Sequence, residues 1–92
     1  MNIKLVNGQI EEYEGGSRQR TYGSGFKAAA TDGRIVAALD SSGTINEFQN
    51  GSRQRTYGNN YVSVQVVNGT VIATDRNNRC DEFVNGSRTR SY

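Results

Sequence analysis

Apolar residues in this chain come in short bursts. The clearest are Ile35, Val36, Ala37, Ala38 and Leu39, the alternating set Tyr61, Val62, Val64 and Val66, and the pair Val71 and Ile72. Between the bursts lie turn residues: Asn7-Gly8, Gly15-Gly16, Asp32-Gly33, Ser42-Gly43, Asn50-Gly51, Asn68-Gly69, Asn77-Asn78 and Asn85-Gly86. Asn-Gly and Asp-Gly accept positive φ at low cost and close two-residue hairpins. No stretch carries an apolar period of 3.6 residues with helix caps. The pattern predicts an all-β chain of short strands joined by tight turns.

The pattern also repeats. The heptapeptide GSRQRTY stands at 16–22 and again at 51–57, and a drifted copy, GSRTRSY, stands at 86–92; Gly16, Gly51 and Gly86 are 35 residues apart. Ile10, Ile45 and Cys80 follow the same spacing, as do Glu12, Glu47 and Glu82, then Tyr13, Phe48 and Phe83. A fixed period of this size marks one supersecondary unit used several times. The repeats are 1–23, 24–58 and 59–92 of a single domain, the first lacking the counterpart of residues around 24–33. Carried backwards, the spacing sets Met1 opposite Val36 and Val71.

A full repeat predicts four antiparallel strands, over 26–31, 34–39, 44–49 and 52–57. The first two are apolar or small and the last is polar on both faces. Such a gradient, with four strands per unit, suits a β-propeller blade whose inner strands are buried. The run DSSGTINEF at 40–48 resembles the turn and third strand of WD40-type blades, although the Trp-Asp and Gly-His signatures of that family have no counterpart here and 35 residues is short for such a blade. The resemblance implies a propeller-like architecture and carries no functional residues with it. Three blades do not close a ring, so the propeller expectation brings a partner: a homo-oligomer, a dimer giving six blades. A chain that starts inside a repeat and ends on a repeat boundary asks another chain for what the first repeat lacks. A β-trefoil, closing within one chain, and a rolled single sheet are the alternatives.

The heptapeptides hold the candidate site. With two-residue turns, Tyr13 faces Arg18, Phe48 faces Arg53 and Phe83 faces Arg88. Two positions further, Glu11 faces Arg20, Asn46 faces Arg55 and Asp81 faces Arg90. Alternation then sets both arginines of each hairpin on one face with the aromatic, and Tyr22, Tyr57 and Tyr92 continue that face. One reading is structural: guanidinium over ring, and cross-strand ion pairs, holding polar hairpins in register. The other is a repeated ligand-binding site for anions or glycans, made of Arg18, Arg20, Tyr22, Arg53, Arg55, Tyr57, Arg88, Arg90 and Tyr92. The Arg fork suits phosphate, sulfate or carboxylate, and Arg55 opposite neutral Asn46 is left free to bind. The expected function is a non-catalytic binding module for anionic or glycan ligands, with a protein-interaction scaffold as the alternative.

Composition narrows this further. The 92 residues are 34% hydrophobic, carry a net charge of +2, and include no histidine, no tryptophan and one cysteine. So small and polar a chain buries little apolar surface, which favours self-association. Without histidine there is no imidazole base and no Cys/His metal set, so neither enzyme activity, cofactor nor metal is expected. The mild charge and the absence of a lysine-rich tract argue against nucleic acid. No apolar run is long enough to span a bilayer as a helix, and the first residues lack the layout of a signal peptide, so a cytoplasmic location and no membrane partner are expected.

Overall fold

The computed structural model describes residues Met1–Tyr92. It contains eleven strands and no helix: β1 Asn2–Val6, β2 Gln9–Glu14, β3 Ser17–Tyr22, β4 Phe26–Thr31, β5 Val36–Asp40, β6 Ile45–Gln49, β7 Ser52–Tyr57, β8 Tyr61–Val67, β9 Thr70–Asp75, β10 Cys80–Val84 and β11 Ser87–Ser91. They form three antiparallel sheets in chain order, β1–β3, β4–β7 and β8–β11. The expected all-β character and the strand sequence are therefore present. Both residues of the Asn7-Gly8, Gly15-Gly16, Asn50-Gly51, Asn68-Gly69 and Asn85-Gly86 turns have positive φ, which is why these dipeptides close the hairpins.

No strand of one sheet pairs with a strand of another. A rolled single sheet would need β3 beside β4, and a trefoil barrel would need pairing between repeats; neither is formed. The sheets instead meet through side chains, and the middle sheet lies between the other two. In β5, Val36, Ala37, Ala38 and Leu39 are all fully buried. Strand alternation divides them. Val36 and Ala38 join Ile10 and Phe48 in a cluster toward the first sheet, while Ala37 and Leu39 join Ile45, Tyr61, Val66, Val71, Ala73 and Phe83 toward the third. A buried aliphatic side chain of this size contributes about 1.5–3 kcal/mol, so β5 anchors both contacts.

Backbone groups add a clasp between consecutive sheets. The Phe26 N–H donates to the Gly8 carbonyl at 3.1 Å, and the Tyr61 N–H donates to the Gly43 carbonyl at 3.2 Å. Each bond ties the turn that leads into β2 or β6 to the start of the next sheet. Between the second and third sheets, Asp32 accepts from the Gly69 N–H at 2.7 Å. Burial works to raise the Asp32 pKa, but N–H donors from Ile35, Arg34 and Gly69 outweigh it and hold the carboxyl below its ordinary value.

The first repeat departs from the 35-residue spacing at its beginning. Asn2 pairs with Tyr13, whereas Val36 pairs with Phe48 and Val71 with Phe83. Asn2, not Met1, therefore occupies the place of Val36. The cause is the turn: two residues, Asn7 and Gly8, lie between the paired Val6 and Gln9, against three, 41–43, between Asp40 and Thr44.

Candidate functional site: the Glu–Arg–Tyr clusters

The expected inner pairs are formed. Tyr13 lies opposite Arg18, Phe48 opposite Arg53 and Phe83 opposite Arg88. The outer pairs are not. In each hairpin the register shifts by one residue, so Arg20 lies opposite Glu12, Arg55 opposite Glu47 and Arg90 opposite Glu82. The extra residue of each bulge is Gln19, Gln54 or Thr89. The Gln19 and Gln54 side-chain amides donate to the carbonyls of Ser17 and Ser52, and the Thr89 hydroxyl donates to the Glu82 carbonyl. One inserted residue turns every later side chain of the strand to the other face. The two arginines of a hairpin consequently lie on opposite faces, and Tyr22, Tyr57 and Tyr92 follow the second arginine.

This builds the cluster in full twice and, without the ion pair, a third time. In the first, Arg20 pairs with Glu12 at 2.5 Å and the Tyr22 hydroxyl donates to the other carboxylate oxygen. In the second, Arg55 pairs with Glu47 at 2.6 Å and Tyr57 donates likewise. Glu12 is 1% exposed and Glu47 2%. Burial so complete is tolerable for a carboxylate only because each oxygen has a donor. Arg55 thus has an acidic partner, contrary to the expectation that it is free. Burial, and then the hydrogen bond to the glutamate, push the Tyr22 and Tyr57 hydroxyls far above the ordinary tyrosine range. In the third cluster Tyr92 donates to Glu82 at 2.7 Å, while Arg90 has no carboxylate within 4.0 Å.

Each of the first two clusters is covered by the next sheet. Tyr22 packs on Phe48 with ring centroids 4.9 Å apart, and Tyr57 packs on Phe83 at 4.8 Å, both tilted by 50°. The aromatic that opens each full repeat completes the stack edge-on: Phe26 against Phe48, Tyr61 against Phe83. The next hairpin turn closes over the arginine stem. A Cβ placed on Gly51 would come within 2.8 Å of Arg20 Cδ, and one on Gly86 within 2.7 Å of Arg55 Cδ. Glycine is needed there for the close approach as well as for its positive φ.

The other face of each hairpin differs between copies. In the first, Glu11 accepts from the Tyr13 hydroxyl at 2.6 Å and pairs with Arg18 at 3.4 Å. The cation seated over the Tyr13 ring is Lys4, at 5.2 Å, not the expected arginine. In the second, Asn46 replaces the acid, and Arg53 is exposed with no carboxylate within 4.0 Å. In the third, Asp81 accepts from Ser91 and from Tyr61, both at 2.5 Å. These bonds, Ser91 first, hold Asp81 below its ordinary pKa. Burial and then the bond to Asp81 push Tyr61 up to about 12.

Little else on the surface is concave. An open polar recess is lined by Asn60, Asp75, Arg76 and Asn77. Asp75 already accepts from the Asn77 and Arg79 N–H groups, as Asp40 does from Ser42 and Thr44. No group of three or more acidic, cysteine or histidine side chains is placed to hold a metal ion.

No curated protein matches this chain. The family model described as Helicobacter pylori IceA2 protein matches it twice, over residues 1–45 and 41–92, as an internal repeat requires; the chain belongs to this family.

Proposed function

We propose that the chain is a non-catalytic interaction scaffold, a stack of blade-like sheets that acts by presenting its faces and hairpins to another macromolecule. One observation carries this reading. The side chains best suited to a repeated small-ligand site, Arg20, Tyr22, Arg55 and Tyr57, are already engaged by the buried Glu12 and Glu47, although the arginine side chains stay 40% and 37% exposed. Each of these arginines has its charge met by a carboxylate at 2.5–2.6 Å, so an incoming anion competes with that partner for the guanidinium. The stacking of four-stranded units supports the propeller-like architecture, with ring closure by a second chain as its completed form.

Anionic or glycan ligands remain the second reading, because Arg53, Arg88 and Arg90 have no carboxylate within 4.0 Å. Thermal unfolding in the presence of sulfated oligosaccharides, inorganic phosphate and neutral glycans separates the two. The scaffold reading expects no saturable change in midpoint. A saturable rise that Arg53→Ala abolishes establishes the ligand reading in its place.

A further inference from the structure

We infer that the two end sheets are halves of one contact, and that the first sheet of a second copy of this chain docks against the third sheet of the first copy. The inference rests on the scaffold reading and names its partner.

The contact between consecutive sheets has two parts. In one, the first strand of a full repeat lies on the opening strands of the preceding sheet: β4 on β1 and β2, β8 on β4 and β5. In the other, the Asn-Gly hairpin turn and its aromatic lie on the Glu–Arg–Tyr cluster of the preceding sheet. The second part is left open at both ends of the stack. At the third cluster Tyr92 donates to Glu82, Arg90 lies opposite Glu82 in register without pairing to it, no sheet lies over them, and Tyr92 is 59% exposed. At the opposite end, Gly15 and Gly16 occupy the hairpin turn with positive φ and nothing within 4 Å of an added Cβ. Tyr13 stands where Phe48 and Phe83 stand in the covered contacts. One end offers the cluster and the other offers its cover.

The remainder of the third sheet agrees with this pairing. The first sheet has no counterpart of β4 or β8. A copy docked through it covers the cluster and leaves the opening strands of the third sheet in water. Those are the positions where polar residues replace apolar ones: Ser63 for Ala28, Gln65 for Ala30 and Thr74 for Leu39. In the turn, Asn78 takes the place of Gly43, where no incoming N–H requires glycine. Ile72, in the place of Ala37, is an apolar exception, and Val62 and Val67, 45% and 51% exposed, stand where Lys27 and Asp32 do. The cluster residues are kept while three of the core positions beside them, now Ser63, Gln65 and Thr74, have become polar. Simple capping of a terminal repeat accounts for the polar positions and gives no reason for the retained cluster.

Such a contact is head-to-tail and smaller than the internal ones, so it calls for concentrated protein. Sedimentation equilibrium of the full chain up to about 1 mM is expected to show mass rising with concentration, as suits a small interface. Tyr92→Ala and Arg90→Ala are each expected to weaken association by about tenfold, as for central contact residues, with the thermal midpoint of the dilute chain unchanged. Tyr13→Ser is expected to do the same from the other end. Each single variant keeps one working half, so mixing Tyr92→Ala with Tyr13→Ser restores a 1:1 pair. A monomer at every concentration overturns the inference, as does association that none of these substitutions weakens. Either result leaves the scaffold reading standing, since that reading fails only on a saturable small ligand.

Discussion

The middle sheet and the third sheet carry the same Glu–Arg–Tyr motif and live in different surroundings. Glu47, Arg55 and Tyr57 lie under Phe83 and the Gly86 turn, and the glutamate is all but inaccessible. Glu82, Arg90 and Tyr92 have the same order and spacing, but Tyr92 lies open and Arg90 pairs with no acid. The chemistry of the motif is constant and its energetic role is set by what covers it. A buried, doubly hydrogen-bonded carboxylate is costly to disturb, whereas an exposed one contributes little.

The largest test of this contrast concerns the backbone clasp. A Cβ at Gly43 would collide with the backbone N and O of Tyr61, and φ there is +74°. Gly43→Ala is expected to cost about 4 kcal/mol in denaturant unfolding, combining left-handed strain with overpacking against backbone. Asn78→Ala in the third sheet is expected to cost about 1 kcal/mol, for strain alone.

Exchanging equivalent core positions gives the next effect. Leu39 is fully buried and Thr74 holds its place in the third sheet. Leu39→Thr is expected to cost about 3 kcal/mol, through a cavity and a buried hydroxyl. Thr74→Leu is expected to change stability by less than about 0.5 kcal/mol, as half-exposed substitutions do.

Alkaline pH gives a more graded comparison. Tyr61 binds its proton more tightly folded than unfolded, with a pKa raised from 10.0 to about 12. Its contribution is therefore complete below pH 10 and lost as pH rises through about 12. Phenolate absorbance should show Tyr92, raised chiefly by its bond to Glu82, ionising before the covered Tyr22 and Tyr57. Tyr61→Phe should remove part of the alkaline loss. Simultaneous ionisation of all five tyrosines in the folded chain would contradict the contrast.

Much of the fold was legible in the sequence. The strands, the turns and the 35-residue unit follow from alternation, Asn-Gly pairs and self-similarity. Two features escaped. The shortened first turn is invisible to a fixed period, because Asn7-Gly8 is itself a sound hairpin turn. The bulges at Gln19, Gln54 and Thr89 lie in strands that are polar on both faces, where a one-residue slip leaves no trace in hydropathy. A signal did exist: Arg20, Arg55 and Arg90 are invariant across the copies, and so are Glu12, Glu47 and Glu82, whereas Glu11, Asn46 and Asp81 vary. A constant base calls for a constant acid. What faces the third cluster is not written in local sequence at all, since it depends on which surface arrives there.

The most direct measurement is the paired loss of stability on Glu47→Ala and Glu82→Ala, by equilibrium urea unfolding at neutral pH and micromolar concentration. The cluster as a joint between sheets requires about 2 kcal/mol for Glu47, whose removal leaves the half-buried Tyr57 hydroxyl without its acceptor and Arg55, 37% exposed, without its partner, and less than about 1 kcal/mol for Glu82. Equal losses at the two positions, large or small, would contradict it.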